Sequence, residues 1–161
     1  MTALIAYFFM ALVISFICSL LESVLLSVSH AHIAVLIKEG KNRGSIMAAL
    51  KENINRPLSA ILTINTIANT VGAAGVGAQT YSVFGSGWVA LSSFILTFSI
   101  LFFSEIIPKT LGANYTKALV GFTAYMIRGL IFIVFPMVIV GEKLSQLFKK
   151  VESDGSKASR E

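Results

Sequence analysis

Charge is scarce in this 161-residue chain: Asp, Glu, Lys and Arg make up 13% of it, about half the share of a soluble domain. A conventional water-facing surface is excluded on that ground. Cysteine is nearly absent. Cys18 stands alone, so no intrachain disulfide can form and the redox compartment is unreadable. The histidines, His30 and His32, are two apart, a spacing that does not share a helix face; they read as boundary residues, not a metal pair. No internal repeat, phosphate-cradling glycine loop or nucleophile beside a base occurs, and no enzyme is expected. A cleavable signal peptide is not expected either. No basic residue precedes the first apolar run, which is about twice the usual length of such a core.

What the chain has instead is hydrophobic length. Hydrophobic residues make up 55% of it, gathered in blocks at 2–28, 58–78, 88–107 and 118–140. Crossing a hydrocarbon layer takes about 20 residues. The fold expected is therefore an all-α integral membrane protein in a lipid bilayer. The loop at 29–57 carries Lys38, Lys41, Arg43, Lys51 and Arg56, whereas the loop at 79–87 carries no charge. By the positive-inside rule the first is cytoplasmic and the N-terminus outside. The same clustering makes the net charge of +5 a signal of membrane orientation, and no nucleic-acid partner is expected.

The fourth block is different. Arg128 sits near its middle and Pro136 follows, and a crossing would place Lys143, Lys149, Lys150, Lys157 and Arg160 outside. Both features argue against spanning. The expectation is three transmembrane helices (2–28, 58–78, 88–107), with 118–148 lying on the cytoplasmic surface as juxtamembrane helices. The alternative is a fourth span with Arg128 facing a bundle interior. Residues 31–53 read as helical near the surface, and 149–161 form a polar tail that puts the C-terminus in the cytoplasm.

Polar residues inside the spans carry the functional signal. In the first, Ser15, Ser19, Glu22 and Ser23 share a face. Ser15 reads as a packing residue, since small hydroxyls let membrane helices approach. In the second, Asn65 and Asn69 are four apart, and their amides must face protein, water or an ion. The following run, Gly72 to Gly77, suits a close helix–helix interface, and a homodimer contact through it is expected. The third ends FFSEIIPKTLGANY. Pro108 has no N–H, so the carbonyl of Ser104 loses its helical partner beside the carboxylate of Glu105. A carboxylate, a freed carbonyl and amide oxygens suit Mg²⁺ or Ca²⁺. The plainer alternative pairs Glu105 with Lys109 four residues on. Counting rise per residue, Ser19 and Glu105 lie roughly 24–27 Å from the outer ends of their spans, and the asparagines roughly 10–16 Å from the inner end of theirs.

SFICSLLESVLLSVS, SAILTINTIANT and FFSEIIPKTLG resemble the DUF21 membrane domain of the CorC/CNNM (cyclin M) magnesium transporters. The last segment, with its Ser/Gly-Glu-x-x-Pro-Lys core, is the most specific. The resemblance implies a homodimer in the cell membrane, three spans per subunit with juxtamembrane helices, and a dehydrated Mg²⁺ held between the spans. It implies Mg²⁺ export, proposed to be coupled to Na⁺ entry. Residue by residue it assigns the ion to Ser19, Asn65, Asn69, the backbone oxygen of Ser104, and Glu105. Glu22 and Ser23 are weaker candidates, for ion coupling. Paired CBS domains that bind adenine nucleotides usually follow in the family; residues 1–161 contain none, so nucleotide regulation falls outside them. Two other functions compete: a non-transporting membrane scaffold, and a proton- or sodium-coupled carrier of another solute.

Overall fold

The computed structural model describes residues 1–134, all helix and turn. Helix α1 (Thr2–Ser27) is strongly apolar along its length, with Ser15, Ser19, Glu22 and Ser23 as its polar face. Ser29 ends the turn that follows by capping α2 (His30–Lys38), its Oγ accepting from the His32 N–H at 3.3 Å. Helix α3 (Asn42–Glu52) returns the chain, and Lys51 donates to the carbonyls of Val28 at 2.6 Å and Leu26 at 3.4 Å. An ammonium there satisfies acceptors that the end of α1 leaves open.

Helix α4 (Asn55–Phe84) carries Pro57 in its first turn, where a missing N–H does no harm. The third membrane helix, Ser86–Asn114, contains α5 (Val89–Ser99), a π-helical turn (Ile100–Ile106) and α6 (Ile107–Asn114). Helix α7 (Thr116–Val134) follows directly.

Helix α1 is the central element: α4, the π turn and α6 all pack on it, and α4 also meets α5. Small residues allow the closest approaches. A Cβ at Gly72 would overlap that of Ala11, and one at Gly75 would overlap the ring of Tyr7. The glycine run is thus an interface, as expected, but at these two positions it lies within the chain. Gly72 and Gly75 thus face α1 of their own subunit. Gly77, by contrast, faces open space.

These contacts set α1 and α4 antiparallel with Ala11 opposite Gly72, which brings Val28 to the level of Asn55. At that end, beside the basic first loop, lies the core. Leu21 and Leu25 of α1, Leu36 of α2, Met47 of α3, Ile61 of α4 and Val120, Ala124 and Ile127 of α7 are buried together. The opposite halves expose large side chains such as Phe9, Phe94 and Phe98, which lipid solvates.

Three spans were expected; four helices are long and apolar enough to cross, the fourth being α7. Its contacts describe an oblique course. Thr116 lines a pocket with Val28, Arg128 still lies beside Asn53 and Pro57, and Val134 packs on Ala60. Roughly 27 Å of helix gains only about 8 Å of depth along α4. The remainder of the expected juxtamembrane region, with Pro136, and the tail lie outside the described residues.

Candidate cation site

Proline 108 does more here than remove one hydrogen bond. The Ile107 N–H donates to Phe102, five residues back, so the ladder reaches the proline in π spacing. Phe103 then needs Pro108 in that spacing, and Ser104 needs Pro108 in α spacing; proline donates to neither. Lys109 offers the next amide, enough for one of Ser104 and Glu105. Of the carbonyls of Phe103, Ser104 and Glu105, two are left without a helical N–H. One freed oxygen, on Ser104, was expected; the π register widens the set.

The π turn is anchored to α1. The Ser104 hydroxyl, 1% exposed, donates to the Leu12 carbonyl at 2.9 Å. One turn further on, the Ser23 hydroxyl donates to the Lys109 carbonyl at 2.6 Å. Gly112 permits that approach, since a Cβ there would press on Ser23. Lys109 itself lies 3.5 Å from Glu22. The helical Glu105–Lys109 pair is therefore not formed. Glu105, half-buried, makes no hydrogen bond or ion pair among the described residues. Glu22 and Ser23 are engaged with α6 instead, about two turns further along α1.

On α4, the Asn69 Nδ2 donates to Asn65 Oδ1 at 3.5 Å, a long bond, and Asn69 Oδ1 is buried with no partner among the described residues. The α1–α4 register sets Asn69 beside Ser15, and the Ser104–Leu12 bond sets Glu105 within about a turn of the same height. Ser15, read from sequence as packing, has a fully buried Oγ with no partner, so it joins the candidates. Ser19, 2% exposed, lies one turn deeper on the same face. Helix register thus puts Ser15, Ser104, Glu105 and Asn69 at similar heights along α1, with Asn65 and Ser19 about a turn nearer the end that carries the basic first loop. These donors are oxygens carrying a single negative charge, the chemistry of a hard cation. Among the described residues no group of three or more His, Cys, Asp or Glu side chains gathers.

Long apolar helices joined by short connections, with unpaired oxygens at membrane depth, define a multi-pass α-helical membrane protein. The chain belongs to the cyclin M family: the Cyclin M transmembrane N-terminal domain matches residues 5–161. Similar proteins include a UPF0053 protein of Synechocystis, 33% identical over 92% of this chain and 43% of the relative. A UPF0053 protein of Haemophilus influenzae is 30% identical over 73% of this chain and 28% of its own length. The UPF0053 inner membrane protein YfjD of Escherichia coli is 23% identical over 81% and 30% respectively. The chain spans less than half the length of each. Membership fits a role connected with membrane transport.

Proposed function

We propose that this chain forms the ion-conducting membrane portion of a Mg²⁺ transporter, working as a homodimer. Glu105 supplies the charge that attracts the cation. Asn65, Asn69, Ser19 and backbone oxygen of the π turn replace its water, and Ser15 supports them. Mg²⁺ gives up hydration reluctantly, so a ring of fixed oxygens around one carboxylate binds it while still permitting release. Export is the direction proposed, with Na⁺ entry as the coupled flow. In this reading α1, α4 and the third membrane helix cross, with the N-terminus outside, and α7 lies obliquely at the cytoplasmic face.

The observation that carries the proposal is Glu105: a carboxylate within an apolar membrane helix, without a partner among the described residues, in a turn with spare carbonyls. An uncompensated charge in that position costs several kcal/mol, and a bound cation removes the cost. The test is Mg²⁺-dependent thermal stabilisation of the purified protein beside flux into liposomes. Glu105→Gln keeps the shape and one oxygen and is expected to abolish both. If the variant binds and transports like the parent, the ion site lies elsewhere.

A further inference from the structure

The transport site leaves Arg128 unexplained. It sits two-thirds of the way along an apolar helix, exposed, and makes no hydrogen bond or ion pair among the described residues. It lines a cavity of ≈ 490 Å³ between α3, the start of α4 and α7. Arg56 enters the same cavity from α4, with Asn53 and Ser45 at its rim and Ile46, Leu50 and Ile131 among its apolar lining. No carboxylate lines it among the described residues. Arg56 has other interactions, but a guanidinium carries five N–H donors and is not exhausted by one partner.

We infer that this cavity holds the phosphodiester headgroup of an anionic phospholipid from the leaflet on the side of the basic first loop. Charge complementarity selects the occupant. Two planar guanidinium groups from different helices match phosphate oxygens in paired hydrogen bonds. An amide and a hydroxyl border them, and the apolar wall accommodates the start of an acyl chain. Position agrees: Asn53 and Pro57 mark the beginning of a membrane helix, the depth at which lipid phosphates lie. Basic pockets between membrane helices on the cytoplasmic side recognise such headgroups. The arginine that argues against α7 as a span is, on this account, the residue that fastens α7 to the membrane surface.

The test is native mass spectrometry of the full chain, released from mild detergent after titration with equal amounts of phosphatidylglycerol and phosphatidylethanolamine of matched acyl chains. One phosphatidylglycerol per chain is expected, retained in preference to phosphatidylethanolamine. Arg128→Gln and Ser45→Glu, both at exposed positions, should each weaken retention about tenfold, the scale of a lost charge-assisted hydrogen bond. Lys38→Gln, with the same change in net charge but outside the cavity, should leave it unchanged. Equal retention of the two lipids, or equal losses in Lys38→Gln and Arg128→Gln, overturns the proposal. Displacement of the lipid by millimolar inorganic phosphate also overturns it, since it marks a site for soluble phosphate. No Mg²⁺ is needed, so lipid binding and transport stand or fall separately.

Discussion

Two carboxylates lie in apolar helices of this chain, and their surroundings divide their roles. Glu22 has a lysine at 3.5 Å whose side chain is half exposed; Glu105 has none among the described residues. Glu22→Gln should therefore change stability by less than about 1 kcal/mol, as partly exposed pairs do, and leave Mg²⁺-dependent stabilisation intact. Loss of that stabilisation in Glu22→Gln would place Glu22 in the ion site. Ser104→Ala removes the bond to the Leu12 carbonyl and should lower stability by about 1 kcal/mol, the scale of a hydrogen bond between membrane helices, read from the unfolding midpoint. Glu105 and Pro108 were legible because each breaks a rule of apolar helices. Ser15 was not, because a lone serine in a membrane helix is ordinarily a packing residue; only burial without a partner distinguishes it. The π register was hidden for another reason: proline announces an irregularity, but the spacing of the preceding amides is visible only in the folded chain.

Helices reveal their partners less readily than their existence. The small residues after Asn69 signalled close approach, and Gly72 against Ala11 and Gly75 against Tyr7 realise it. Sequence periodicity cannot say whether the approaching helix belongs to the same chain or to a second copy, and here it belongs to the same chain. Gly72→Leu is therefore expected to disturb α1–α4 packing itself, costing about 1–3 kcal/mol as overpacked sites do. Gly77→Leu, facing open space, should unfold at the parent's temperature. A Gly72→Leu protein of parental stability would show that the two helices separate freely. Length was also harder to read than type. The second apolar block was bounded at 58–78 because Gln79, Ser82 and the glycines dilute its hydropathy, yet α4 runs from Asn55 to Phe84.

For the whole molecule the decisive element is α7. By apolar length it qualifies as a membrane helix, and by charge it does not: Arg128 and the basic residues after it resist transfer. The packing explains how both can hold. Val120, Ala124 and Ile127 share one buried core with α2 and α3, elements too short and too polar to cross, so an apolar face of α7 is consumed at the inner end of the bundle. Over the whole of α7, from Thr116 beside Val28 to Val134 against Ala60, the level along α4 rises only from about Asn55 to Ala60, a course oblique to α4. Cysteines introduced singly at positions 117 and 150 in a Cys18→Ser background separate the two topologies. Both are expected to react with a membrane-impermeant maleimide only after the cells are opened. Labelling at 150 in intact cells, with 117 still protected, would make α7 a fourth crossing and move the C-terminus outside.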